Sequence, residues 1–294
     1  MKRAKLEKGS GLLLALACLA GCTVGGRHAS RLALEFAEGR LSVAEVEQVA
    51  ASGDATAQFL TALSYETGNG VAEDLVAARR WYEAAARQEH PAALNNLGLM
   101  HFHGRGVERS HATARTLLER SADSGFAQGQ VNFAIVCLYG DDREPDVRLA
   151  TRMLRRAARN GHVPALKLLA TIYHDGVGVT ADPVRAARYY RDAARGGDAM
   201  SQHRLGMQHL RGHGVEQDVE RAVHWLEQAA AQGYAPSQHD LGLLYARGIG
   251  VGEDRARARQ LLQLAAAQGH RQARERLAAI APGASAATAA QPGR

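Results

Sequence analysis

The chain has 294 residues, 46% hydrophobic but only 5% aromatic, so Ala and Leu carry most of its apolar content and favour helix. Charged residues at 22% beside an apolar fraction near one half exclude wholesale disorder, and no apolar run reaches the roughly 18 residues a membrane-spanning helix needs. A formal charge of +6 points at first to nucleic acid or another anionic partner, yet three of the four lysines (Lys2, Lys5, Lys8, Lys167) fall in the first eight residues.

The N-terminal stretch reads as an export signal. Lys2, Arg3, Lys5 and Lys8 form a basic start, and Gly11 to Ala20 (GLLLALACLA) form an apolar run too short to span a membrane stably. The run ends in Leu19-Ala20-Gly21-Cys22, which resembles the lipobox of bacterial lipoproteins. That resemblance implies cleavage after residue 21, a diacylglyceryl group on the Cys22 thiol and an acylated amine, with palmitate-type chains that together anchor stably. Thr23 stands where Asp would resemble an inner-membrane retention signal, so the expected site is the periplasmic face of the outer membrane, ahead of the inner membrane or the cell surface. Cleavage removes Lys2, Arg3, Lys5, Lys8 and Glu7, four positive charges and one negative, which lowers +6 by three to about +3. The case for nucleic acid goes with them. Cys18 is lost and Cys22 is lipidated, leaving Cys137 as the one thiol and no disulfide. Residues 22–29 form the anchor and short linker, and Thr23 to Ala29 spans at most about 25 Å, which keeps the folded part near the membrane.

From there a period of 36 residues organises the chain. Gly68, Gly104, Gly140, Gly176, Gly212 and Gly248 keep that spacing without an insertion. Two residues on lie Gly70, Gly106, Asp142, Gly178, Gly214 and Gly250, followed by Val71, Val107, Arg143, Val179, Val215 and Val251. Asp74, Ser110, Asp146, Asp182, Asp218 and Asp254 come next, where a side-chain oxygen can cap a helix start, and Pro183 after Asp182 suits the first helical position. The first glycine column reads as a left-handed C-cap. Ala78, Trp81, Ala85 and Ala86 share one helical face, with Trp81, Leu117, Met153, Tyr189, Trp225 and Leu261 expected to fill the gap that the small residues leave. Each unit closes on Gly125, Gly161, Gly197, Gly233 or Gly269, with Glu89 the exception.

Each unit therefore predicts two antiparallel helices of about 13 residues, running over roughly 54–67 and 74–88 in the first. Val46, Val49, Ala50 and Gly53 fit the register one period earlier, and 270–280 repeats the first helix. The expected solenoid covers 30–281, with six full repeats over about 57–269, and the tail 282–294 (from Pro282, PGASAATAAQPGR) reads as disordered.

The pattern Leu-Gly-x-x-Tyr-x-x-Gly-x-Gly-Val, then Asp, then Ala-x-x-Trp-Tyr/Leu-x-x-Ala-Ala resembles the Sel-1-like repeat, a relative of the tetratricopeptide repeat. Leu241 to Val251 (LGLLYARGIGV) carries it almost letter for letter. The resemblance covers about 42–280 and implies an all-α, right-handed α-solenoid of stacked helix pairs whose first helices line a concave surface. The third unit departs, with Cys137 for Tyr and Asp142-Arg143 for Gly-Val.

Helix A of the first unit turns Ala57, Thr61, Ala62 and Tyr65 towards its partner, so offsets 59, 60, 63, 66 and 67 point elsewhere. Followed through the repeats, that face carries Phe59, Asn95, Val131, Lys167, His203 and His239, then Leu60, Asn96, Asn132, Leu168, Arg204 and Asp240, and further down Thr67, His103, Tyr139, Asp175, Arg211 and Arg247. Its polar members suit a peptide, a partner helix or an anionic glycan. The thirteen His form no three-ligand set at zinc spacing: His209 and His213 are four apart, His101 and His103 flank a helix end, and His101 and His209 stand in the Tyr column. No metal or cofactor is expected. No Ser-x-x-Lys, G-x-S-x-G, H-E-x-x-H or phosphate-binding Gly loop occurs, and Cys137 reads as a small buried filler. The expectation is a non-catalytic, lipid-anchored scaffold that binds an envelope protein. By analogy with lipidated repeat proteins of this kind, it would assist assembly of an export or exopolysaccharide-secretion complex. The alternatives are an enzyme acting on peptidoglycan or β-lactams, since some Sel-1-like proteins are linked to penicillin binding, and direct binding of an acidic polysaccharide through Arg204, Arg211 and Arg247.

Overall fold

The computed structural model describes residues 26–140 and 144–280. The export signal, Cys22, the tail 282–294 and the Asp142-Arg143 departure of the third unit lie outside the described residues. Among the described residues there are fifteen helices and no strand. Helices α1 (Gly26–Ala37) and α2 (Val43–Ala51) precede six pairs of 13-residue helices, and α15 (Arg271–Ile280) follows them. The pairs are α3 (Ala55–Thr67) with α4 (Leu75–Arg87), α5 (Pro91–His103) with α6 (His111–Asp123), and α7 (Ala127–Tyr139) with α8 (Val147–Arg159). Then come α9 (Val163–Asp175) with α10 (Pro183–Arg195), α11 (Ala199–Arg211) with α12 (Val219–Ala231), and α13 (Ala235–Arg247) with α14 (Arg255–Ala267). The architecture is an all-α repeat solenoid in which the two helices of each pair pack on one another and, within each compact unit, each pair packs on the next. It divides into two compact units at Asn160 and Gly161, three pairs falling in each.

The sequence columns account for the helix ends. Asp74, Ser110, Asp146, Asp182, Asp218 and Asp254 each accept a hydrogen bond from a backbone N–H of the first turn, and Pro183 occupies the first helical position. Gly68, Gly104, Gly176, Gly212 and Gly248 close their helices in the left-handed conformation. Gly140 differs: it leaves α7 with φ −70° and ψ 136°, in the one unit whose turn lacks the second glycine. Glu89, where the other units carry Gly, is held at φ +58°, the one left-handed non-glycine among the described residues.

One packing expectation needs correction. Leu117, Met153 and Leu261 of the expected column are buried, but Trp81, Tyr189 and Trp225 are only half-buried, and the deepest position in every pair is the next residue: Tyr82, Leu118, Leu154, Tyr190, Leu226 and Leu262 are at most 2% exposed. A residue four on from Ala78 lies over it on the helix face, and four on from Tyr82 lies Ala86, so the buried stripe follows that row. Burying each such Leu side chain contributes about 1.5–3 kcal/mol.

A glutamine staple, absent from the expectations, recurs between pairs. Gln58, Gln130, Gln202 and Gln238 are buried, and each donates its side-chain amide to a carbonyl of the preceding helix, at Ala50, Ala122, Ala194 and Ala230 (3.1–3.3 Å).

Candidate functional site

The last residue of each A helix stands just before its capping turn, and in all six pairs it is exposed: Thr67, His103 and Tyr139 in the first unit, Asp175, Arg211 and Arg247 in the second. Tyr139 keeps 60% of its surface open. A large ring held in water on a rigid helix end is a ready contact for a partner.

In the first unit the candidate amides join into a chain of hydrogen bonds. Gln128 donates to Asn132 Oδ1 (3.1 Å), Asn132 Nδ2 to Asn95 Oδ1 (2.7 Å) and Asn95 Nδ2 to Asn96 Oδ1 (3.0 Å). Asn96 Nδ2 donates to the Tyr82 hydroxyl (2.9 Å), which donates to Glu66 Oε2 (2.7 Å), while Arg105 reaches Glu66 Oε1 at 3.4 Å. Burial, and after it the Glu66 carboxylate, push the Tyr82 phenol well above its usual range, so it remains a proton donor. The open end is a cleft of about 210 Å³ lined by Glu66, Asn96, Leu99, Met100, His103 and Arg105. Tyr82→Phe strands Asn96 and Glu66 together, and is expected to cost about 1–2 kcal/mol in urea unfolding. Equal stability of the variant would deny the chain its structural weight.

In the second unit the candidates separate. Lys167 is tied to Asp198 at 3.2 Å, so it is no free cation. His203 lies 3.0 Å from Ser237 Oγ and 3.8 Å from Asp240, and Asp240 accepts from His239 Nδ1 at 2.7 Å. Burial, opposed by Asp240 and reinforced by Arg204 and Arg211, holds the His203 pKa below its usual value. Arg204 and Arg211 line a second cleft of about 260 Å³ with His174, Met207, Gln208 and His213. Arg247 is not among its walls.

Two candidates differ from expectation. Asn95 and His239 are 4% and 6% exposed, as are Phe59, Leu60 and Val131 of the same rows at 3% or less. The A helices are covered by neighbours on more than one side, so these positions support the face rather than form it. His101 and His209 each set Nδ1 3.2–3.3 Å from a backbone carbonyl of the following turn, at Glu108 and Glu216, which makes them packing histidines in the Tyr column. Among the described residues no group of three His, Cys, Asp or Glu side chains is placed to hold a metal. Cys137 is buried and free, and burial pushes its thiol up to about 11, which leaves it unreactive.

The Sel1 repeat family profile matches six consecutive segments, residues 55–90, 91–126, 127–162, 163–198, 199–234 and 235–270, and each segment is one of the helix pairs above. The chain belongs to the Sel1 repeat family. Among solved structures it is similar to c5321, a protective antigen present in uropathogenic Escherichia coli strains and displaying an SLR fold. The identity is 32% and the TM-score 0.78, over 84% of this chain and 53% of the antigen's. This chain thus spans about half the antigen's length. A Sel1 repeat protein from Oxalobacter formigenes is 26% identical with TM-score 0.68, over 82% of this chain and 97% of that one. Comparison with curated proteins gives no match. The Sel1 repeat is in general a non-catalytic scaffold fold that serves protein–protein interaction.

Proposed function

We propose that this Sel1 repeat protein is an exported, lipid-anchored adaptor that holds another envelope protein on its A-helix faces. It would sit at the periplasmic side of the outer membrane, in the assembly of an export or exopolysaccharide-secretion complex. The exposed row at the A-helix ends carries the binding part of the reading: the same position is solvent-facing in every pair, and its residue types vary where those of the caps and core recur. Leu19-Ala20-Gly21-Cys22 after a basic and apolar start supports the anchor, and the three residues between Cys22 and Gly26, where α1 begins, leave the adaptor close to the bilayer.

Expressed in a Gram-negative host fed radiolabelled palmitate, the chain is expected to carry label and to fractionate with outer membranes. Cys22→Ser is expected to lose both. A Cys22→Ser protein that remains labelled and membrane-bound would sink the anchor. A photo-crosslinking residue in place of Tyr139 or Arg247 is expected to capture a discrete envelope protein, and one in place of exposed Leu264 on the opposite helix row is not. Equal labelling from both rows would sink the A-helix face as the binding face.

A further inference from the structure

Gln208 does not belong in the core as the core is built. Its column reads Ser64, Met100, Val136, Ile172, Gln208 and Leu244, so a long amide stands where the other units place a hydroxyl bonded to its own helix or an apolar side chain. Gln208 is 5% exposed, and neither its Nε2 nor its Oε1 has a hydrogen-bond partner among the described residues. The four other buried glutamines named above all bond a carbonyl. A buried amide unsatisfied at both ends is costly, and a ligand that answers it would account for its retention.

The surroundings say which ligand. Arg204, Met207, Gln208 and Arg211 stand at i, i+3, i+4 and i+7 on α11, one stripe along a helix face, and all four line the 260 Å³ cleft. Among the described residues no carboxylate lies within ion-pair distance of Arg204 or Arg211. Asp175, next in the chain to His174 of the lining, is hydrogen-bonded to that histidine at 2.7 Å. Seven residues of helix set the two arginines about 10.5 Å apart along the axis. An extended polyproline-II segment rises about 3.1 Å per residue with three residues per turn, so its residues i and i+3 lie on one side about 9.3 Å apart. It also has free backbone N–H and C=O groups, which a helical ligand does not, and a primary amide answers both at once. Met207 beside the amide is an adaptable apolar surface for the intervening side chain, and no Trp, Tyr or Phe in the lining offers a platform to a sugar ring.

We propose that the Gln208 cleft binds an extended acidic peptide segment of the form Asp/Glu-x-x-Asp/Glu. Arg204 and Arg211 take the two carboxylates in forked ion pairs, and the Gln208 amide bonds the backbone between them. The proposal rests on the reading of the A-helix face as protein-binding and narrows it to a ligand class and a place.

The test is selection of a displayed library of random dodecapeptides on the full chain, followed by fluorescence titration of the winning peptides. Polyuronate oligomers serve as the competing probe. Winners are expected to be enriched in acidic pairs three residues apart and to lose about tenfold or more in affinity with Gln208→Leu and with the Arg204→Gln/Arg211→Gln double variant. Gln208→Leu, the residue its column carries at 244, is also expected to raise Tm of the free chain by about 2–4 °C. A lowered Tm would show that the amide already has a partner, and would overturn the proposal. Winners without acidic pairs, or winners bound equally by both variants, overturn the cleft while leaving the protein-binding face standing. No enriched peptide at all overturns both. Polyuronate binding that outcompetes every peptide and needs Arg204 and Arg211 but not Gln208 assigns the cleft to acidic polysaccharide instead.

Discussion

Gly214→Ala is expected to destabilise the second unit by about 3–4 kcal/mol, and Gly233→Ala by only about 1 kcal/mol. Both glycines have positive φ, +76° and +83°, so both variants carry the strain of a left-handed L-residue. The surroundings make the difference. A Cβ on Gly214 would lie 2.2 Å from the carbonyl oxygen of Pro183 and 2.4 Å from its carbon, whereas nothing lies within 4 Å of a Cβ on Gly233. Pro183 opens the B helix of the preceding pair, so the intruding methyl meets backbone and can be relieved only by prying two pairs apart. The first residue of the preceding B helix crowds the other turns too, there with a side-chain carbon nearest: Gly70 against Val43 Cγ2 (2.8 Å), Gly106 against Leu75 Cβ (2.7 Å) and Gly250 against Val219 Cγ1 (2.4 Å). The second glycine of the Gly-x-Gly-Val turn is therefore a stacking residue, and the tightness of the 36-residue repeat depends on it. Urea unfolding followed by circular dichroism compares the two variants directly. Equal losses would mean that the turn conformation, and not the approach of neighbouring pairs, fixes the glycine.

That glycine shows why so much of the fold is legible in the sequence. Positive φ, side-chain N-caps and close backbone approach are demands that few residue types meet, so Gly68, Gly70, Asp74 and their counterparts repeat at fixed spacing and, the third unit's glycines excepted, mark where each A helix ends and each B helix begins. The deep packing is less legible because many residue types meet its demands. Residues Thr56 to Ser64 of α3 are all buried, so no single stripe betrays which neighbour each one faces, and Asn95 and His239 read as open-face residues when they are internal. The amide chain from Gln128 to Glu66 joins three A helices and a B helix, and no spacing along the chain announces such a meeting. Gln208 lies between these cases. Its column flags it as foreign among Met, Val, Ile and Leu, but only the structure shows that its amide goes unanswered while Gln58, Gln130, Gln202 and Gln238 are satisfied.

Mild acid is expected to weaken the first unit through His90 by at most about 3 kcal/mol, and His90→Asn is expected to remove most of that sensitivity. His90 caps α5: its Nδ1 accepts the Ala93 N–H at 3.3 Å, and its ring stacks on Phe59 with centroids 5.1 Å apart. An accepting nitrogen must be unprotonated, and a proton there would also set a cation against the positive end of the helix dipole. Burial, opposed by the Asp54 carboxylate, lowers the pKa from about 6.5 to about 4. The folded chain therefore takes the proton less readily than the unfolded chain. The contribution is complete above about pH 6.5, is lost as pH falls from there towards 4, and changes no further below that. His162 and His270 stand in the same column with pKa values likewise lowered by burial, and His270 Nδ1 accepts from Ala273 N–H at 3.3 Å, so a shallower trend in the same direction belongs to the second unit. Asn caps a helix without titrating. It gives up the stacking on Phe59, but that loss is the same at every pH. Urea unfolding of parent and His90→Asn at pH 7, 5.5 and 4.5 separates the two effects: the gap between them should close by about 2–3 kcal/mol as the pH falls. Parallel curves would show that the acid response comes from elsewhere, because the other titrating groups remote from His90 are common to both proteins and cancel in the difference.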